Sequence, residues 1–320
     1  MRRKSDLPNQ RTPATPIKQT SRHIRKNMNT PSRMPNRNGA AYTDSPFYTP
    51  SRYVNDLSDS SPTKQTLDIP FDYKINEQSN NIYFVTIKNR HYVVKKCEYI
   101  ELSIYRKLNN LKVDLNELFI ENNFIMPTFI SSMYIIMPYC TGLDKLMYAY
   151  DDFPLPLAEK ITKQLFHAVA LLHSFDILHG DIKPQNILIY DAFIPVKCSQ
   201  PMEINRPYLN RVYLADFSVS QLKPFTMMEY GDPLYYPPEC PQLTTLKADV
   251  FSAGLVVYEM LENIIIPQNG EVLYNLVRTN QFKFSNDHPV LKTIIVNCCE
   301  MNVNKRWTSQ QVIEFLKNEE

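Results

Sequence analysis

From about residue 68 onward the apolar and polar positions follow two different periods. Residues 73–77, 82–88 and 91–96 alternate, which predicts three short strands, with Asn80-Asn81 and Lys88-Asn89-Arg90 as turn material between them. Residues 101–108 have the apolar spacing of a helix instead. Leu157, Ile161, Leu165, Ala168 and Leu172 then recur at the helical period and predict a core-facing helix over 157–174. An apolar run follows at 187–190, and residues 211–215 read as a further strand. Residues 1–64 show neither period. They are rich in Pro, Ser, Thr, Asn and Arg, and such a segment buries too little apolar surface to offset its ordering entropy, so disorder is expected there.

The chain has 320 residues, enough for one large or two modest domains. Its net charge of +2 conceals an asymmetry: residues 1–64 hold 12 Lys/Arg against 4 Asp/Glu, the remainder 23 against 29. A basic arm ahead of a mildly acidic globule suggests an acidic partner or a localisation role, with nucleic-acid binding through the arm as an alternative. Cys97, Cys140, Cys198, Cys240, Cys298 and Cys299 show no Cys-x-x-Cys spacing and read as reduced thiols of a cytosolic or nuclear protein. His167 and His173 share a helix, but no Cys or carboxylate ladder joins them, which favours core or surface histidines over a metal site. No apolar run approaches the ~18 residues of a membrane span, and Met1-Arg2-Arg3-Lys4 has no apolar segment behind it, so a soluble protein is expected.

The stretch with chemical content is His179-Gly180-Asp181-Ile182-Lys183-Pro184-Gln185-Asn186, between the 157–174 helix and the 187–190 run. Phosphoryl transfer from a nucleotide calls for these residue types: an Asp to orient and deprotonate an attacking hydroxyl, a Lys to neutralise the transferred group, an Asn to hold magnesium. Thirty residues on, Asp216-Phe217-Ser218 closes the 211–215 strand, where a carboxylate can bridge magnesium to the phosphates.

On these residues the chain resembles the eukaryotic protein kinases over about 68–318. The resemblance implies an α+β, two-lobed protein-kinase fold with a small β-rich N-lobe and a larger helical C-lobe. It implies a kinase domain over 67–320, which leaves the compositionally disordered arm, expected to be regulatory, over 1–66. Within that domain the N-lobe is about 67–137, the hinge about 138–141 and the C-lobe about 142–320. ATP and Mg²⁺ are the implied cofactors, with Asp181 and Lys183 as catalytic residues and Asn186 and Asp216 as metal ligands. Tyr92-Val93-Val94-Lys95 is similar to the kinase strand whose Lys reaches the nucleotide phosphates. Glu101 is its implied partner, with Glu98 as the alternative. Residues 133–140 resemble the last small-lobe strand and the hinge, placing Met137 behind the adenine and offering backbone groups of Tyr139 and Cys140 to its edge. Residues 191–210 form an enlarged connection, a loop or a partner contact. Glu239 is expected to pair with Arg306, and Asp249 to brace the catalytic loop by accepting its backbone amides.

Within the kinases, Gly231-Asp232-Pro233, the stretch from Leu246 to Leu255 and the stretches 264–271 and 276–278 resemble the Wee/Myt family. Leu273 stands near the place of that family's usual Trp. This implies phosphorylation of a cyclin-dependent kinase on tyrosine, with threonine as a second candidate acceptor, delaying mitosis. The alternatives are another mitotic Ser/Thr kinase, since Asp-Ile-Lys is of Ser/Thr type, and a pseudokinase scaffold. The arm holds every Ser/Thr-Pro pair of the chain, at Thr12, Thr15, Thr30, Ser45, Thr49 and Ser61. Four of them have a basic residue three places on, resembling sites of cyclin-dependent kinases, so phosphorylation by a proline-directed kinase is expected to reverse the arm's sign locally. Gly180 replaces the Arg that pairs with a phosphorylated activation loop, so no such phosphate should be needed. Two departures bear on activity. No glycine lies between Gly39 and Gly142, so the glycine-rich phosphate cover is missing, although Asn80 and Asn81 tolerate left-handed backbone; and Ser218 stands where Gly usually follows Asp-Phe.

Overall fold

The computed structural model describes residues 67–109, 129–131, 133–190, 211–226, 231–240, 242–264 and 282–319, all within one compact unit, Asp44–Glu320. The arm over 1–66, the connection over 191–210 and most of the Wee/Myt-like stretch (265–281) lie outside the described residues.

The first part is a five-stranded antiparallel sheet of order β1-β2-β3-β5-β4. Its strands are β1 (Lys74–Ser79), β2 (Ile82–Ile87), β3 (Arg90–Lys96), β4 (Phe129–Ile130) and β5 (Tyr134–Pro138), with helix α1 (Tyr99–Asn109) inserted after β3. The period-two pattern is used on both faces. Tyr83, Val85, Ile87, Val94 and Ile136 pack with Leu67 on one side. Ile82, Val93, Ile135 and Met137 join the main core on the other, where α1 adds Leu102, Ile104, Tyr105 and Leu108. Each such side chain, fully buried, contributes roughly 1.5–3 kcal/mol, so a one-residue slip that exchanged the faces would forfeit most of the sheet's stability. The β1–β2 turn takes a left-handed residue at Asn80 (φ 48°), the backbone that an asparagine accepts better than most side chains.

The second part is mainly helical. It comprises β6 (Thr141–Gly142), α2 (Leu143–Tyr148), α3 (Leu155–Ser174), β7 (Ile177–Leu178), β8 (Ile187–Tyr190), β9 (Arg211–Leu214) and β10 (Gln221–Leu222). Helices α4 (Lys247–Glu262), α5 (Pro289–Cys298) and α6 (Ser309–Asn318) complete it. Helix α3 buries the periodic face read from the sequence, including Leu157, Ile161, Leu165, Ala168 and Leu172. Helix α4 is buried along its whole length from Ala248 to Leu261. It is the post against which α3 and α5 pack, and it presents Asp249 to the loop after β7.

Candidate active site

The loop between β7 and β8 carries Asp181, Lys183 and Asn186, and three separate elements hold it. From α4, the Asp249 carboxylate accepts the backbone N–H groups of His179 (2.8 Å) and Gly180 (2.9 Å). The His179 ring accepts the Asp181 N–H at Nδ1 (3.2 Å) and so donates from Nε2 to the Ala215 carbonyl (3.0 Å), which couples the loop to the residue before Asp216. The Ser220 hydroxyl donates to the His179 carbonyl (2.7 Å).

Three donors then converge on Asp181. Its Oδ2 accepts from Asn186 Nδ2 (2.8 Å) and lies 3.0 Å from Lys183 Nζ, while Oδ1 accepts the backbone N–H of Asp232 (2.9 Å). The side chain of Asp232 is occupied elsewhere, accepting from Leu234 N–H at the start of the 3₁₀ turn Pro233–Tyr235. The carboxylate is thereby fixed before any substrate arrives. The nearby Tyr236 phenol is pushed up to about 12, first by burial and then by the Asp181 charge.

Asn186 is completely buried, and its amide N–H groups are spent on Asp181. Its Oδ1 is enclosed with no hydrogen-bond partner among the described residues. The Ala215 N–H donates to the Asn186 carbonyl (2.9 Å), which brings Asp216 alongside. An orphaned amide oxygen next to the Asp181 carboxylate, with Asp216 following directly on the residue bonded to Asn186, supplies oxygen donors of the kind a hard divalent cation takes. The residues present therefore fit Mg²⁺.

Lys95 bridges the two parts of the molecule. Its Nζ lies 2.8 Å from Glu101 of α1 and 2.7 Å from Asp216, all three groups buried. Of the two carboxylates considered for Lys95, Glu101 makes the pair and Glu98 does not. Burial alone would lower the Lys95 ammonium, but the two carboxylates outweigh it and hold its pKa above the ordinary range. Burial likewise would raise Asp216; the Lys95 charge and hydrogen bond, with contacts from Ser218, bring it below the usual carboxylate range. Phe217, fully buried, sits edge-on to Tyr105 of α1 and against His179, with centroids 5.1 and 5.3 Å away, so it gauges the spacing of helix and loop.

At the hinge, Met137 is buried and takes a contact from the Tyr105 hydroxyl (3.8 Å to Sδ). Cys140 is buried and Tyr139 exposed. The expectation for Tyr139 needs narrowing: its N–H donates to the His91 carbonyl (3.2 Å), so the sheet has already claimed that amide. Ser218 has ordinary backbone, and the left-handed residue is Asp216 itself (φ 66°), so the missing glycine leaves no strained position at 218.

Sequence reasoning missed two features. Gly180, read from the sequence only as the replacement of an Arg, has φ 81°, and its carbonyl would lie 2.6 Å from any Cβ placed on Gly231, itself at φ 115°. The Asp232 N–H to Asp181 contact was also missed. The paired glycines were its visible signal, since close backbone approach is what glycine permits.

Residues 73–315 match the model of the protein kinase domain family, and the chain belongs to that family. Among relatives it is 27% identical to the mouse serine/threonine-protein kinase DCLK3 over 203 residues, 58% of this chain and 23% of the relative. It is 30% identical to the serine/threonine-protein kinase atg1 of Dictyostelium discoideum over 190 residues, 56% of this chain and 26% of the relative. Against the serine/threonine-protein kinase PKH2 of Saccharomyces cerevisiae it is 26% identical over 248 residues, 72% and 22%. The matched region thus spans about a quarter or less of each of these relatives' own length. All three are named as serine/threonine kinases, and the narrower Wee/Myt resemblance finds no support in them.

Proposed function

We propose that the chain is a protein kinase that moves the γ-phosphate of Mg-ATP to a protein hydroxyl, most simply that of serine or threonine. The observation that carries this reading is the buried, orphaned Oδ1 of Asn186 beside an Asp181 carboxylate already oriented by three donors. Asp181 would align the acceptor hydroxyl and take its proton, while Lys183, 3.0 Å from that carboxylate, places positive charge where the transferred phosphoryl passes. Asn186 and Asp216 would hold the metal, which when bound neutralises phosphate charge. Lys95 would face the nucleotide phosphates, held in place by Glu101, and Met137, Tyr139 and Cys140 would border the adenine. Nothing here forms a covalent intermediate. Catalysis is positioning together with charge neutralisation, which suits a site whose polar groups are pre-bonded.

The reading is tested with Asp181→Asn, which keeps the shape and loses the proton acceptor. Transfer should fall by about two to four orders of magnitude, and undiminished transfer by the variant would mean a contaminating kinase and a scaffold role for this chain. A second, narrower reading rests on Gly231-Asp232-Pro233: a Wee/Myt-like kinase acting on a tyrosine of a cyclin-dependent kinase, with the arm a substrate of a proline-directed kinase. Incubation with a catalytically dead cyclin-dependent kinase and with a generic Ser/Thr substrate, followed by phosphosite mapping, separates the two. Label on Ser/Thr alone, away from the glycine loop, rejects the narrower one. Among the described residues no helix is long and apolar enough to cross a membrane.

A further inference from the structure

Asp249 does more than accept two loop amides. Its Oδ2 also stands 3.0 Å from His173 Nε2 on α3. The other ring nitrogen, Nδ1, lies 2.9 Å from the hydroxyl of Ser309, the first residue of α6. Side chains from three helices are thus strung in one line that ends on the backbone of His179 and Gly180, directly before Asp181. The line is dry: Asp249 is 1% exposed, Ser309 3% and the His173 side chain 9%.

For a neutral His173 ring, the donors and acceptors fix the chemistry of that line. A carboxylate only accepts, so the proton between Asp249 and His173 sits on Nε2, and in a neutral imidazole Nδ1 is then an acceptor. The Ser309 hydroxyl supplies the donor it needs. That hydroxyl has no capping duty to explain it, because Thr308 and Gln311 form the capping box of α6. Without it, a buried Nδ1 would lack a donor. The opposite tautomer would set a ring lone pair against the Asp249 carboxylate.

We propose that Ser309 and His173 are positioning residues for the catalytic loop: the Ser309 hydroxyl holds His173 as the Nε2–H tautomer, which fixes the Asp249 carboxylate that grips the His179 and Gly180 amides. The last helix of the domain is thereby tied to Asp181 through hydrogen bonds. The consequence for rate rests on the protein kinase reading above; the consequence for the ring does not.

The test uses the full chain with isotope-labelled histidine. NMR of the ring nitrogens reports the tautomer, while steady-state assays with ATP and a protein substrate report kcat and KM. Wild type should show His173 as Nε2–H. Ser309→Ala should give a mixture of tautomers and a kcat lower by about two- to tenfold, the worth of one hydrogen bond, with both KM values nearly unchanged. In a His173→Gln background, where a side-chain amide donates to Asp249 without any tautomer to select, Ser309→Ala should leave kcat unchanged. A wild-type His173 that carries protons on both ring nitrogens, or unaltered His173 signals in Ser309→Ala, overturns the proposal. So does an equal loss of kcat in the glutamine background, which would mark a purely structural effect of the helix start. A wild-type chain that transfers no phosphate overturns the kinase reading instead, and the tautomer signal still decides whether Ser309 holds the ring.

Discussion

Asp216 lies against Lys95 at 2.7 Å with both groups almost fully buried, and the two pKa shifts point in opposite directions. The carboxyl is depressed on folding, so its stabilisation is present above the unfolded carboxylate value of about 3.9 and is lost as pH falls through the folded one. The ammonium is raised, so its share is complete below about 10.4 and is lost only as pH rises through the still higher folded value. The urea midpoint of wild type relative to Asp216→Asn should therefore hold steady from about pH 5 to 9 and decline below about pH 4. A gap independent of acid would mean that the pair adds nothing to stability. At this scale the sequence displayed residue types and little of their partners. Asp181, Lys183 and Asn186 are legible because they fall within six positions of one loop. Lys95 and Asp216 are 121 positions apart, and no local pattern could have joined them.

The catalytic loop and the segment around Gly231 behave as one element held in register by backbone. Gly231→Ala would drive a Cβ to 2.6 Å from the Gly180 carbonyl, at a φ of 115° that alanine resists. The segment must then shift, taking the Asp232 N–H away from Asp181, and kcat should drop on the order of a hundredfold with ATP affinity little changed. With Gly180 in place of the Arg that would pair with an activation-loop phosphate, phosphatase treatment of the chain should leave its activity intact. A phosphatase-sensitive enzyme would show that the loop contact is not self-sufficient. Element boundaries were legible to within a residue or two where a period was strong, as in α3 and β3. The hinge amide of Tyr139 was not, because its commitment to His91 depends on how far β5 runs alongside β3.

At the scale of the whole domain the guanidinium of Arg306 is a deeply placed charge, with a side chain of 0% exposure, held by both oxygens of Glu239 at 2.6 and 2.9 Å. It also stacks over Phe251 of α4 (4.8 Å) and donates to the carbonyls of Lys247 and Glu300. Glu239→Ala leaves that charge buried without its counter-ion and should cost about 3–5 kcal/mol, read as a lower urea midpoint. Adding Arg306→Met should restore part of the loss, since an apolar side chain removes the stranded charge; no recovery would show that the backbone contacts of Arg306 matter more than its charge.

By itself the amino-acid sequence determined the class of fold and the chemical cast. Alternation and helical period are properties of neighbouring residues, and the loop from His179 to Asn186 carries its donors and acceptors within reach of one another. Tertiary structure alone decided which groups became partners: Lys95 with Asp216, Asp232 with Asp181, and His173 between Asp249 and Ser309. Those pairs join positions tens of residues apart, and a hydrogen bond is a matter of a few tenths of an ångström. Only the packing of helices around α4 sets distances that finely, and no linear spacing encodes it.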